Sequence, residues 1–362
     1  MRFISVSELS GSYKTTALGF EGPDSSTVKT NTFEPAIFEP ASWLPGPHLQ
    51  TLGARFLRPS GGVPLHRERV ELDDGDFIDL DFAYGSERSE EGPMVLLLHG
   101  LEGSAKSKYA LQTYRYLDDM GIASVGMNAR SCSGELNRLA RMYHSGETGD
   151  LDFILRMLNE RFGGRVRGIV GFSLGGNALL KYLGESGDSI SKLVDGAVAV
   201  SVPYDLSQGA DYLDRPSARI YRGYLLGKLR KKVWAKRELM PSFVDAKIAS
   251  TAENFRIFDD AVTSRLHGFS DADDYYRQSS CKQFLGGIRV PTLLIQAADD
   301  PFQPHTTMPH REVEENPFLV AAFSKAGGHV GFVGKSTPWQ PLFWAEREAG
   351  RFMAHILNGK GE

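Results

Sequence analysis

One serine in the chain stands in a pattern that can turn its hydroxyl into a nucleophile. Ser173 is the central residue of a G-x-S-x-G pattern at residues 171–175. An apolar run ending in Val170 precedes it and helix-forming residues follow it, so the stretch predicts a strand, a sharp turn and a helix. Gly171 and Gly175 lack a Cβ, which lets the strand and helix of such a turn pass closely. The pattern predicts a catalytic serine; the alternative is a serine in a structural turn.

A serine hydroxyl is a weak nucleophile at neutral pH, so a base must take its proton and a carboxylate must orient that base. In sheet proteins with this turn, the acid and then the histidine follow the serine along the chain, each after a later strand. Of the histidines after Ser173, His329 alone directly follows a predicted strand, within the glycine-rich stretch 325–332. Two adjacent acids, Asp299 and Asp300, follow the preceding predicted strand. The ordered set predicts a Ser-His-Asp triad.

An acyl intermediate on a serine carries an oxyanion, which two N–H groups must stabilise. The residue after the nucleophile supplies the first, which assigns the backbone N–H of Leu174. The second comes from the loop after the apolar strand predicted at residues 94–98, where His99-Gly100-Leu101 stands, and we assign it to Leu101. The imidazole of His99 itself is expected to be a packed structural group.

Strand and helix patterns alternate around these residues, which predicts an α/β fold with a mostly parallel sheet and helices on both of its faces. A hairpin is predicted at residues 67–82, with Asp74-Gly75 as its turn, and a closing helix at residues 341–357. Between residues 204 and 287 the patterns are helical only, which predicts a helical cap inserted over the sheet edge. The predicted division is a flexible lead-in, residues 1–33, a core, residues 34–203 and 288–362, and the cap, residues 204–287.

The composition favours a globular protein over a nucleic-acid-binding or membrane-spanning one. The chain has 362 residues, a net charge of −4 and 41% hydrophobic residues, which is typical of a globular protein and predicts no nucleic-acid partner. Two cysteines, Cys132 and Cys281, form no disulfide framework and no metal-ligand spacing. Neither a metal nor a cofactor is expected. No secretory signal is recognised, and no apolar run approaches the roughly 20 residues that span a bilayer. A cytoplasmic location follows as the expectation; the oligomeric state is not predicted.

One basic run admits two interpretations. The stretch 228–237 carries several lysines and arginines, while Leu225, Leu229 and Val233 recur at helical spacing. Peripheral contact with anionic lipids is one interpretation. A solvated helix of the cap is the other, and we favour it.

Several blocks beyond the G-x-S-x-G pattern resemble the YheT-like branch of the α/β-hydrolase superfamily, also called the AB hydrolase 4 family. The blocks are Pro47–Leu52, His99–Gly103, Met127–Arg130, Tyr143–Asp150, Ser201–Leu206, Phe258–Thr263, His267–Phe269, Asp274–Arg277 and Asp299–Phe302. The resemblance covers roughly residues 40 to 357 and implies the α/β-hydrolase fold. It also favours Asp300 over Asp299, since related hydrolases carry the acid in a similar turn before a proline. Ser131 departs from the family, which usually has glycine there, and a positive φ at that position would strain serine.

The resemblance implies hydrolysis of carboxylic esters, with lipid or medium-chain acyl substrates in some members and acyl transfer to alcohols in others. The sequence therefore leads to three hypotheses. The first is a serine esterase acting through Ser173, His329 and Asp300 on a small-molecule ester or lipid. The second is an acyltransferase that passes the same acyl group to an alcohol, and the third is a catalytically silent binding protein on this scaffold.

Overall fold

The computed structural model describes residues 33–84 and 92–358. Within them, eight strands form one sheet in the order β1-β2-β4-β3-β5-β6-β7-β8. Their bounds are β1 (Leu65–Glu71), β2 (Phe77–Ala83), β3 (Met94–Leu98), β4 (Ala123–Asn128), β5 (Val166–Phe172), β6 (Gly196–Val200), β7 (Thr292–Ala297) and β8 (Leu319–Ser324). The strands β3 to β8 run parallel, while β1 and β2 join the edge in antiparallel pairs. The mostly parallel sheet predicted from the alternating patterns is confirmed.

Helices connect the strands and flank the sheet. Their bounds are α1 (Pro47–Leu57), α2 (Lys108–Asp119), α3 (Gly149–Arg161), α4 (Leu174–Ser186), α5 (Leu206–Leu213), α6 (Arg219–Ala235), α7 (Ala246–Thr251), α8 (Phe255–Phe258), α9 (Ser264–His267), α10 (Ala272–Ser279), α11 (His310–Glu315) and α12 (Trp344–Asn358), with a π-helical turn, Asp259–Thr263, between α8 and α9. Short 3-10 turns lie at Gly187–Lys192, Pro216–Ala218, Arg237–Leu239, Cys281–Gly287 and His305–Thr307.

Both faces of the sheet are apolar and covered. Alternate residues of a strand point to opposite faces. In β3, Leu96 belongs to an apolar cluster with Leu155 of α3 and Leu179 of α4. Its neighbour Leu97 belongs to a second cluster with Phe352 of α12. This two-sided burial explains why the central strands are continuous apolar runs in the sequence.

The chain between β6 and β7 is helical wherever it has regular structure, from α5 to α10. Its buried residues form an apolar cluster of their own, which includes Leu229 and Phe258. Leu52 of α1, Leu101 after β3 and Phe302 after β7 pack against this cluster. The segment therefore lies over loops at the carboxyl edge of the sheet.

Two sequence expectations need correction. The closing helix was predicted from residue 341, but it begins at Trp344, because Gln340–Phe343 is a strand paired antiparallel with Val333–Thr337. Sequence reasoning missed this hairpin of β9 (Val333–Thr337) and β10 (Gln340–Phe343): Pro341 lies where the register of the ladder shifts. At the other end, Phe33 closes the predicted lead-in, yet it is buried and its ring packs edge-on against Phe352. The rest of the lead-in lies outside the described residues.

The hairpin predicted at residues 67–82 is confirmed. β1 pairs with β2 in antiparallel register from Leu65 opposite Ala83 to Glu71 opposite Phe77. Gly75 has a φ of 82° in the connecting turn, a conformation that glycine adopts without strain.

Candidate active site

Ser173 lies at the tight junction between β5 and α4, with a φ of 51°. The two flanking glycines are required by close backbone approaches. A Cβ on Gly171 would lie 2.7 Å from the carbonyl oxygen of Gly175, and one on Gly175 would lie 2.6 Å from that of His99. A larger side chain at Gly171 or Gly175 would therefore push α4 away from the neighbouring backbone. The Ser173 hydroxyl would then be displaced from its place at the end of β5.

His329 lies beside Ser173, on the loop that follows β8. Its Nε2 is 3.1 Å from Ser173 Oγ, and its Nδ1 is 2.8 Å from Asp300 Oδ2. An ionised carboxylate only accepts hydrogen bonds, so the Nδ1 atom carries the proton and the Nε2 lone pair faces the serine hydroxyl. The structure thus brings the three predicted side chains into one hydrogen-bonded chain.

The two adjacent aspartates after β7 have different partners. Asp300 is 1% exposed; its Oδ1 accepts the N–H of Phe302 at 2.8 Å, and its Oδ2 also accepts from Gln296 Nε2 at 3.2 Å. Asp299 instead accepts the backbone N–H of Gly328 at 2.9 Å. Burial raises the pKa of the Asp299 carboxyl above its usual range. Only Asp300 contacts the imidazole, whereas Asp299 holds the loop that carries it.

The histidine loop is held from elements that are distant in sequence. The N–H of His329 donates to Thr51 Oγ1 of α1 at 2.9 Å, and the N–H of Val330 donates to Ser201 Oγ, after β6, at 2.9 Å. The ring of Phe302 stacks on the imidazole, with 3.8 Å between centroids and 5° between planes. Thr51, Ser201 and Phe302 all lie in blocks that carry the family resemblance, but the sequence did not predict that they hold the histidine loop.

The turn after β3 lies against the serine. A Cβ on Gly100 would be 3.1 Å from Ser173 Cβ. The N–H of Gly100 donates to Tyr109 Oη, and that of Glu102 donates to Tyr143 Oη. The N–H of Leu101 between them has no protein acceptor in the described part of the chain.

On the other side of the serine, Leu174 is the first residue of α4. Its N–H therefore has no acceptor within the helix, and the helix dipole adds positive potential there. Leu101 and Leu174 both line the cavity that Ser173 faces. The two amides are available to an anion bound in that cavity.

The cavity has a volume of about 1070 Å³ and reaches from Ser173 and His329 into the helical segment. Much of its wall is apolar. The helical segment contributes Leu206, Leu213, Leu225, Leu229, Phe255 and Val262. Such a cavity suits an apolar group several carbon atoms long beside the serine.

His99 is a buried structural group. Its Nε2 accepts the N–H of Ala129 at 3.1 Å, so Nδ1 carries the proton and donates to the carbonyl of Gly100 at 2.7 Å. Burial lowers the pKa of His99 to about 4, which keeps the ring neutral. Ser131, the departure from the family pattern, has a φ of 64°, as expected for a position that usually holds glycine.

The basic run at residues 228–237, which covers the end of α6 and the two residues after it, is only partly solvated, and this corrects the interpretation favoured from the sequence. Lys236 is 1% exposed and its Nζ donates to Asn137 Oδ1 at 2.6 Å. Burial lowers the pKa of Lys236 to about 8. Lys232 turns inward and pairs with Glu102 at 2.6 Å. The helical spacing of the apolar residues did not reveal these inward lysines.

Within the described ranges, the side chains of His144, Glu147 and His267 form a group with the composition of a metal site, with ligand atoms within 4.8 Å of one another. Several of these ligand atoms already form hydrogen bonds or ion pairs within the protein. Glu147 pairs with Arg141 at 2.7 Å, and His144 Nδ1 accepts the N–H of Gly146 at 3.2 Å. Burial lowers the pKa of both histidines, to about 3 for His144 and about 4 for His267. Among the described helices, none combines the length and apolarity needed to cross a bilayer.

Comparisons with known proteins agree with this fold. The profile of the family described as "alpha/beta hydrolase fold" matches residues 93–315. The chain belongs to this family, and its resemblance to the YheT-like branch is confirmed. YheT from Escherichia coli (strain K12), which bears a provisional esterase name, is 37% identical over 338 residues, covering 92% of this chain and 98% of that protein.

Two further similarities are more distant. Phospholipase ABHD3 from Mus musculus is 29% identical over 324 residues, covering 88% of this chain and 77% of that protein. The solved structure of the Pyrococcus furiosus esterase Pf2001 aligns with a TM-score of 0.54 at 15% identity, over 83% of this chain and 96% of that one. At that identity the structural likeness supports the fold alone.

Proposed function

We propose that this protein is a serine hydrolase that cleaves carboxylic esters of apolar acids. The observation that carries the proposal is the chain of hydrogen bonds from Ser173 through His329 to Asp300. Ser173 and His329 line an apolar cavity. The two contacts measure 3.1 Å and 2.8 Å. The names of the relatives, an esterase and a phospholipase, support the same class of reaction.

In the proposed reaction, Oγ of Ser173 attacks the ester carbonyl carbon while Nε2 of His329 takes the hydroxyl proton. Asp300 keeps the imidazole in the required tautomer and stabilises the imidazolium. The carbonyl oxygen becomes an oxyanion, which accepts hydrogen bonds from the N–H groups of Leu101 and Leu174. The imidazolium then protonates the leaving alcohol. Water, activated by the same imidazole, releases the acid from the acyl-enzyme.

We further propose that residues 204–287 act as a cap on a core formed by residues 34–203 and 288–362. Apolar side chains from α5, α6 and α8 line the cavity beside Ser173. An acyl chain in that cavity would be removed from water, and each buried methylene contributes about 0.8 kcal/mol. The cap therefore selects among acyl chains, while the core supplies the reacting groups.

Hydrolysis of p-nitrophenyl esters with acyl chains of increasing length tests the proposal. We expect activity in the wild type and a fall in kcat of about 10⁵-fold or more in Ser173→Ala. Ser189→Ala, at an exposed serine, is the matched control and should retain activity. A fluorophosphonate probe should label the wild type and the control but not Ser173→Ala.

Absence of both hydrolysis and labelling in the wild type would contradict the proposal and leave a binding protein on this scaffold. Adding an alcohol and quantifying free acid against new ester separates hydrolysis from acyl transfer. Free acid as the main product supports the esterase.

A further inference from the structure

A buried carboxylate holds the turn that carries Leu101. Glu102 follows Leu101 directly, its side chain is 6% exposed, and its backbone φ is 54°. A residue with a side chain adopts a positive φ only where its surroundings hold it there. The conformation of this turn therefore depends on the contacts that Glu102 makes.

Four hydrogen bonds fix Glu102. Its Oε1 accepts from Lys232 Nζ at 2.6 Å and from Tyr143 Oη at 2.8 Å. Its N–H donates to the same Tyr143 Oη at 2.7 Å, and its carbonyl oxygen accepts from Lys228 Nζ at 3.0 Å. The side chain and both backbone groups of Glu102 are thus bound.

Two of these four bonds come from α6, which belongs to the helical segment and not to the sheet. Lys228 and Lys232 are four residues apart, so they lie on one face of the helix. Lys232 is 9% exposed and its Nζ also lies 3.4 Å from Cys132 Sγ. An ammonium group this buried is held by its partners rather than by water, so the position of α6 is coupled to the position of the turn.

We propose that Lys232, assisted by Lys228, is a positioning residue that sets the turn presenting the Leu101 N–H to the oxyanion. The proposal rests on the proposed function, because it assumes that Leu101 is an oxyanion donor. Donor geometry matters here, since a displacement of about 1 Å at a reacting group can cost 10²-fold in rate. Turnover then depends on whether α6 is docked on the core.

The central experiment compares Lys232→Met with Lys231→Met. Lys231 is the exposed neighbour, so both variants lose the same charge from the same helix. We expect Lys232→Met to lower kcat for a short acyl ester by about 10- to 100-fold with little change in KM. Lys231→Met should keep wild-type kcat. The rate of fluorophosphonate labelling should fall with kcat, because that reaction uses the same oxyanion donors.

Lys232→Met leaves the Glu102 carboxylate buried without its cation, which can unfold the protein. The double variant Lys232→Met/Glu102→Gln removes that charge while Tyr143 can still donate to the amide oxygen. We expect it to melt near the wild-type temperature and still to show the reduced kcat. Lys232→Arg, which keeps the cation, should recover part of the rate.

Wild-type kcat in the folded double variant would overturn the positioning role, and so would an equal loss in Lys231→Met. A rise in KM with kcat unchanged would also overturn it, since that result describes a substrate contact. Ser173→Ala is measured alongside to separate the two claims. If Ser173→Ala is inactive while the double variant is fully active, only the positioning role fails; if Ser173→Ala is active, the proposed function fails.

Discussion

The two ring nitrogens of His329 face different partners, and three contacts limit the motion of the ring. Asp300 binds Nδ1, Phe302 stacks on one face of the ring, and Thr51 binds the backbone N–H. An imidazole held in this way loses little freedom when it takes a proton from Ser173. The rate of the proposed reaction should therefore be sensitive to the carboxylate that sets the tautomer.

Replacing the Asp300 carboxylate with an amide should lower the rate of ester hydrolysis severely. Asn at position 300 can hold the other tautomer, with the proton on the nitrogen that faces Ser173, so we expect kcat to fall by about 10⁴-fold in Asp300→Asn. Asp299→Asn is the matched control, because its Oδ1 can still accept the Gly328 N–H. It should retain most of the wild-type kcat for ester hydrolysis. Equal losses in the two variants would argue against Asp300 as the acid of the triad.

A second residue-scale prediction concerns Asp259, a buried carboxyl in the cavity wall. Burial raises its pKa to about 6, although Thr263 and Tyr276 donate hydrogen bonds to it. The folded state therefore binds the proton more tightly than the unfolded state. The stability that this group contributes is present at low pH and is lost as the pH rises from about 4 to about 6.

The shift corresponds to about 3 kcal/mol of unfolding free energy. Urea denaturation of the wild type and of Asp259→Asn, between pH 4 and pH 7, measures it. The variant has no titrating group at this position, so the wild type should lose stability relative to it as the pH rises. If the difference in unfolding free energy between the wild type and Asp259→Asn stays constant with pH, the Asp259 carboxyl has the same pKa in the folded and unfolded states.

At the scale of elements, the junction of β5 and α4 places the first turn of α4 in backbone-to-backbone contact with the end of β3. A Cβ on Gly175 would lie 2.6 Å from the carbonyl oxygen of His99 and 2.8 Å from that of Leu98. No rotamer change relieves a clash with a carbonyl group, so β3 and α4 would have to separate. That separation would also displace the first N–H of α4.

Gly175→Ala should lower the unfolding free energy by about 3 kcal/mol or more. Gly223→Ala, on the exposed side of α6, is the contrasting variant, because a Cβ there meets nothing within 4 Å. It should raise stability by about 0.5–1 kcal/mol, since alanine favours helix more than glycine does. Chemical denaturation of both variants tests the pair. A Gly175→Ala protein as stable as the wild type would show that the junction can open.

Helix α1 binds the loop that carries His329 and the strand that follows it. Gln50 accepts the N–H of Val333 at 2.7 Å and donates to its carbonyl at 3.2 Å, and Thr51 binds the histidine loop. Arg58 donates to the carbonyl oxygens of Val330 and Gly331. Helix α1 and Arg58, the residue directly after it, thus hold the loop that carries the imidazole from several points.

At the scale of the whole molecule, the cavity lies between the carboxyl edge of the sheet and the helical segment. The sheet side supplies Ser173, His329 and the free amides, while the helical side supplies most of the apolar wall. In the proposed function, the reacting groups and the residues that select the acyl chain are therefore located on different parts of the chain. A change in the helical wall should alter which esters react without altering the reacting groups.

Val262→Phe tests this separation, because Val262 is buried and lines the cavity. The larger side chain should shorten the cavity, so we expect kcat/KM for the longest accepted acyl chain to fall by about 10-fold or more, with short esters little affected. Ile248→Phe, at a half-exposed residue outside the cavity lining, is the control and should leave the profile unchanged. A uniform loss across all chain lengths would argue against an acyl site there.

Local patterns sufficed for much of the fold. The inner parallel strands, β3 to β7, are short and mainly apolar runs that are largely buried on both faces, and that signal is visible without a structure. The hairpin of β9 and β10 was missed because its strands are short, partly polar and interrupted by Pro341. Its strand β9 contacts Gln50 of α1 through Val333 and Pro40 through Gly334, and no local pattern reports such contacts.

The sequence by itself determined Ser173 and His329 as candidates, because steric demands act on neighbouring residues in the turn and the order of strands restricts the histidine. The family resemblance favoured Asp300 over Asp299, but only the tertiary structure showed which of the two contacts the imidazole, since adjacent carboxyls differ in direction and not in spacing. The tertiary structure also decided that Lys232 faces inward to Glu102, 130 residues away in the chain. Such contacts depend on how separate elements pack. Packing between residues far apart in the sequence produces no local sequence pattern from which it could be predicted.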